Sequence, residues 1–197
     1  MRVAFILFLT LLGALVSFTV TALGQDRDQA VFAFGGRYVD GYFEHALAPL
    51  VADYEDNVVL GAGYQKFLAE PLPDFHLGVE AGLALRGGQQ ASGEVWAGAV
   101  ARYDGWTIGE QLRISPAFTF GLSAVTNSIG VEAKRAADRH ADPGLLFYLA
   151  PEINLSAPDN PDTELFYRVQ HRSGAWGTMG DMFDGHNAQV IGLRHHF

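Results

Sequence analysis

The chain contains no cysteine. It therefore has no disulfides and must hold together through packing and backbone pairing alone. Beyond its first two dozen residues it has no apolar run long enough for a membrane helix, so helical spanning is excluded for the rest of the chain. Basic residues are few, 13 Lys and Arg against 22 Asp and Glu, and the formal charge of -9 steers phosphate polymers away. Nucleic acid is therefore not an expected partner. There is no internal repeat, no low-complexity tract and no heptad, which leaves a single domain with its own core.

The N-terminus carries Met1-Arg2, an apolar stretch "VAFILFLTLLGALVSFTVTA" and a small-x-small site at Ala22-Leu23-Gly24. This reads as a secretory signal over residues 1–24, cleaved before Gln25, with a domain over 25–197. In that domain period two dominates. In "FHLGVEAGLALR", Phe75, Leu77, Val79, Ala81, Leu83 and Leu85 share one face, while His76, Gly78, Glu80, Gly82, Ala84 and Arg86 share the other. A soluble sheet would bury the oily face, whereas an outer-membrane barrel would turn it to lipid, and the alternation by itself fits both.

Strand count and loop lengths decide between them. Candidate strands begin near Ala30, Asn57, Phe75, Gly93, Ile108, Leu145, Thr163 and Asn187, about eight in all, an even number that can close without edges. Short turns at 70–74, 104–106 and 158–162 alternate with longer loops at 40–56, 87–92, 120–143 and 174–186. This is the asymmetry of short periplasmic turns and larger outer loops. The fold class expected is all-β, an eight-stranded antiparallel transmembrane β-barrel of the bacterial outer membrane. Phe197 ends the last amphipathic strand and resembles the signal by which the outer-membrane assembly machinery recognises its clients. Arg37, Glu80, Arg102, Arg113, Glu152, Arg168 and Arg194 are expected to face inward and pair, filling the lumen. Phe75, Leu77, Val79, Leu83, Leu165, Tyr167 and Val169 are expected to face outward.

On the seventh candidate strand, "ELFYRVQHRSGAWG", Leu165, Tyr167, Val169, His171 and Ser173 share a face, and the oily members send it to the outside. His171 and Ser173 then emerge beside the loop 174–186, at the extracellular boundary. Ionisable residues on a lipid face are costly and point to function. A serine beside a histidine is the start of a nucleophile and base pair, and residues i and i+2 on a strand lie about 7 Å apart at Cα, which rotamers can close. A hairpin centred near Gly180 places Asn187 opposite Ser173 and Gln189 opposite His171.

The signal, the eight strands, "QHRSGAWG" and the closing "DGHNAQVIGLRHHF" together resemble the PagL-type lipid A 3-O-deacylases of the outer membrane. Specific residues cover about the last 35 positions, and the rest matches as architecture. The resemblance implies hydrolysis of the acyl ester at the 3-position of lipid A, with lipid A or lipopolysaccharide as substrate. Ser173 would be nucleophile, His171 base, and a third member would lie on the last strand. Two departures stand out: Asn187 occupies the position expected to carry glutamate, and Gly174 stands where asparagine would supply an oxyanion donor. An asparagine can orient a histidine through its amide oxygen, as in the Cys-His-Asn hydrolases and in the outer-membrane phospholipases, which this arrangement also resembles. Asp184 and Gln189 compete for the third role. A non-catalytic barrel, structural or lipopolysaccharide-binding, is the alternative from another class, and a phospholipase is a further one.

No cofactor is expected, and "HHF" at 195–197 lacks the carboxylate or cysteine neighbours of a metal site. Trp96, Trp106 and Trp176 are read as interfacial girdle residues, and "KRAADRH" (134–140) as a solvated loop.

Overall fold

The computed structural model describes residues 27–88 and 90–197, so the expected signal at 1–24 lies outside the described residues. In chain order the elements are β1 (Gln29–Val39), α1 (Phe43–Ala46), β2 (Tyr54–Leu72), β3 (Phe75–Gly87), β4 (Ser92–Tyr103), β5 (Trp106–Ile108) and β6 (Leu112–Val125). They continue with α2 (Gly130–Arg139), β7 (Leu145–Ala157), β8 (Asn160–Ser173) and β9 (Asn187–His196). Eight of the strands form one antiparallel sheet that closes through β1 with β9 and β4 with β6. Closure leaves none of the eight strands with an open edge, as lipid demands. The three-residue β5 is a small flap on β6, turned through Gly109. The expected strand start near Ile108 therefore moves to Leu112, and the expected loop 120–143 shrinks because β6 runs on to Val125.

The alternation sends Leu77, Val79, Leu83, Leu85, Val95, Phe120, Leu165 and Ile191 to the outside, where each is at least 40 % exposed. The lumen holds aromatics and ions. Phe32, Phe34, Tyr38, Trp96, Tyr148 and Phe166 form one buried cluster. Through it run Arg168, paired with Glu80 at 2.7 Å and Glu152 at 2.6 Å, and Arg194, paired with Glu152 at 2.7 Å. Lower down, Arg102 pairs with Glu164. Every one of these ions is buried, and each has an opposite charge in reach, as the low-dielectric interior requires.

Two expectations fail on facing. Arg37 points outward rather than inward, since Phe32, Phe34 and Tyr38 set the inward parity of β1, and it bonds the Glu55 carbonyl at 3.0 Å. Trp96 is a lumen residue rather than a girdle residue. It stacks on Tyr148 at 5.5 Å, donates to Glu80 at 2.8 Å and lies over Gly82, where a Cβ would come within 2.2 Å of its ring. Trp106 and Trp176 are exposed at opposite ends of the barrel. The stretch 134–140 is not a loop either: most of it lies in α2.

Candidate active site

The sheet carries His171 and Ser173 outward at the end of β8, as the alternation requires, yet both are buried, 7 % and 9 % exposed. The loop 174–186 closes over Ser173, while His171 is covered by the segment 40–53, which leaves β1, makes the single turn of α1 and lies back against the outer wall. Val39, Ala46 and Val169 pack beneath it with Phe43, Ala52 and Tyr167, which also explains why Val169 faces outward but is not exposed. The Phe43 ring lies 4.3 Å from the His171 ring. Leu50 and Val51 on the far side of the segment are 98 % and 81 % exposed. That apolar outer surface suits a segment resting in the outer leaflet.

The hairpin register differs from the expected one by two residues. Asn187 pairs with His171, and Gln189 pairs with Val169. The hairpin is centred one residue earlier, and its loop 174–186 holds Ala175, Trp176, Gly177, Gly180 and Asp181 at positive φ. A shift of two preserves the face, so all four side chains stay outward. Asn187 Oδ1 lies 2.5 Å from His171 Nδ1. Gln189 is drawn off to the Ala46 carbonyl at 2.8 Å and to Tyr54, which removes it from the third role.

The donors and acceptors fix the tautomer. Asn187 Nδ2 sits between two acceptors, the Gly41 carbonyl at 3.1 Å and Asp184 Oδ2 at 3.4 Å. The amide oxygen must then be the atom that meets His171, so Nδ1 carries the proton and donates. Nε2 is left with its lone pair, the form a general base needs. Asp184 Oδ1 stands 3.5 Å from the same Nδ1, and Arg135 of α2 pairs with Asp184 at 3.4 Å. Arg135 also donates to the Gly185 carbonyl at 2.8 Å and the Gly41 carbonyl at 3.0 Å, framing Asn187 from both sides.

Ser173 is brought beside His171 but is not bonded to it among the described residues. Its hydroxyl donates to the Phe183 carbonyl and accepts from the Ala175 N–H, both at 3.1 Å. The N–H groups of Ala175, Trp176 and Gly177 are all engaged within the loop. The Gly174 N–H has no partner among the described residues and is the free backbone donor next to Ser173. A Cβ at Gly174 would come within 2.0 Å of the Met182 carbonyl oxygen and 2.6 Å of that of Met179. An asparagine could not enter there without moving the loop, so the departure at this position follows from how the loop is wound.

Helix α2 joins this site to the lumen. Glu132, fully buried, reaches inside to Arg86 at 2.7 Å and to Arg172, the residue between His171 and Ser173. Burial alone would raise the Glu132 carboxyl, but Arg172 and Arg86 outweigh it and hold it below the usual range. His186 in the adjoining loop is stacked on Tyr38 at 3.8 Å and lies between Arg86 and Glu55, each at 2.8 Å. Burial pushes its imidazole below the ordinary value. Concavities of about 530 Å³ and 430 Å³ open at the two barrel mouths, and neither includes His171 or Ser173. The sequence reading missed Arg135, Phe43 and Gly41, and the one available signal was the run of good helix formers in "VEAKRAADR".

A closed eight-stranded barrel with an oily exterior, an ion-paired lumen and elaborated loops at one end defines a bacterial outer-membrane β-barrel protein, and the outer membrane is its location. It is similar in fold to the outer membrane enzyme PagL, with a TM-score of 0.56 and 12% identity over 84% of this chain and 98% of that one. It is also similar to Neisserial surface protein A, with a TM-score of 0.52 and 12% identity over 86% of this chain and 97% of that one. No protein-family model and no curated protein sequence matches the chain.

Proposed function

We propose that the protein is a PagL-type esterase that removes the 3-O-linked acyl chain from lipid A of lipopolysaccharide, with Ser173 as nucleophile, His171 as base and Asn187 as the residue that orients it. The observation carrying this reading is the Asn187–His171 contact at the extracellular end of a lipid-side strand face, one outward position from Ser173. For the reaction, the Ser173 hydroxyl turns from the Phe183 carbonyl toward His171 Nε2, which takes its proton as Oγ attacks the ester carbonyl. The Gly174 N–H is the donor for the oxyanion. His171 returns the proton to the departing sugar oxygen; water, deprotonated by the same nitrogen, then attacks the acyl carbon, and that proton passes to Ser173 Oγ as the fatty acid leaves.

One observation favours the non-catalytic, lipopolysaccharide-binding reading: the serine hydroxyl is satisfied by loop backbone. Mass spectrometry of lipid A from cells expressing the protein separates the two. The esterase predicts loss of one hydroxyacyl group, abolished by Ser173→Ala or His171→Ala. Folding should survive, since neither change touches the strand pairing or the lumen ions, although each side chain is buried and hydrogen-bonded and its loss costs about 1–3 kcal/mol. Unchanged lipid A in the wild type, with the barrel shown to be folded by its heat-modifiable migration, refutes the esterase.

A further inference from the structure

A triad carboxylate has two duties: it accepts the imidazole N–H and so orients the ring, and it stabilises the positive charge that forms on it. Asn187 can perform the first and not the second. We infer that the second duty has moved to Asp184, which acts as a positioning residue for His171, so that two side chains share what one carboxylate does elsewhere. The inference rests on the reading of Ser173 and His171 as nucleophile and base.

The geometry that carries it is the placement of both groups on one ring nitrogen. Asn187 Oδ1 takes the N–H at 2.5 Å, and Asp184 Oδ1 lies 3.5 Å from the same atom, close enough for charge stabilisation without displacing the amide. The carboxylate is pinned by the Gly185 N–H at 2.8 Å, by Asn187 Nδ2 at 3.4 Å and by the Arg135 guanidinium at 3.4 Å. These donors leave it little freedom to turn away. Around His171 the other charged group is Arg135 from α2, while α1 contributes only the Phe43 ring. The arrangement also explains why an amide stands at 187. A carboxylate there would face the Gly41 carbonyl and Asp184, both acceptors, with its own donor gone.

The test is an exchange of the charge between two nearly isosteric positions, read as lipid A deacylation and as labelling of Ser173 by a fluorophosphonate, in outer-membrane fractions carrying the full chain. Asp184→Asn should lower kcat about 10- to 100-fold with little change in KM, because the loss is in the charged transition state. Asn187→Asp alone should also be slow, with two carboxylates abutting. Combining the two substitutions should recover at least about tenfold over either alone, since the charge now sits on the orienting residue and the new amide at 184 can donate to it. A purely structural role for Asp184 would not be repaired by moving its charge. Wild-type rates in Asp184→Asn, or a double variant no faster than the slower single, overturn the inference. A wild-type protein that neither deacylates nor labels at Ser173 overturns the esterase reading itself, and the inference with it.

Discussion

Replacing Glu132 with glutamine removes one negative charge from a buried cluster in which Arg86 and Arg172 face Glu132 and Glu94. The partners are not equal. Glu132 meets Arg86 at 2.7 Å and Arg172 more closely still, whereas Glu94 stands 3.8 Å and 3.9 Å from the two guanidiniums. After the substitution two buried arginines share one distant carboxylate. Breaking a buried pair of this kind costs about 3–5 kcal/mol, and each 1.4 kcal/mol is roughly a factor of ten in an equilibrium. The barrel has a cheaper response than bearing that cost, because α2 can lift off its mouth and let water reach Arg86 and Arg172. Docking of α2 should therefore weaken by about two to three and a half orders of magnitude, and Arg135 should leave Asp184 and the two carbonyls that frame Asn187. The assay is trypsin cleavage after Lys134, Arg135 and Arg139 in outer-membrane vesicles, alongside lipid A deacylation. The variant should be cut far faster than the wild type and should deacylate more slowly, with the barrel still heat-modifiable. A helix that stays as resistant as before, with full activity, would show that the lumen ions do not hold α2 and that its hold on the site is independent of them.

Gly174→Ala should disorder the loop 174–186 and reduce deacylation at least about tenfold, because its Cβ meets the Met182 carbonyl at 2.0 Å; faster hydrogen exchange in the loop with strand protection unchanged is the expected signature. Acidification should loosen the same region. His186 is held neutral by burial, so below an unfolded-state value of about 6.5 the opened loop takes up a proton that the closed one does not, and the stability of closure falls as pH falls. Hydrogen exchange between pH 7.5 and 5, corrected for intrinsic rates, should show more opening at the lower pH, and His186→Gln should flatten that dependence.

The strands were legible because alternation is a local property. Leu77, Val79 and Leu83 announce a face, and closure then turns it outward. The positions of His171 and Ser173 followed from the same parity, as did the outward facing of Asn187. Its exact partner did not, since the register of a hairpin depends on how its loop is built, and the five residues of positive φ in that loop leave no mark on the alternation of the strands. Arg37 and Trp96 were misjudged for a related reason: residue chemistry was allowed to outvote parity, although a lumen with Glu80 in reach takes an indole readily. Arg135 was out of reach of any strand argument. Its role depends on the Glu132 anchor three residues earlier, a contact between a loop helix and two strands distant in sequence.

The placement of His171 and Ser173 on the wall rather than in the bore has a consequence for how the protein would be supplied. A ligand that reaches the wall arrives by drifting in the plane of the leaflet, so its encounter rate follows the mole fraction of lipid at the surface and not its concentration in the surrounding volume. Diluting lipopolysaccharide with an inert amphiphile at constant total concentration should slow turnover, whereas diluting the whole suspension should not.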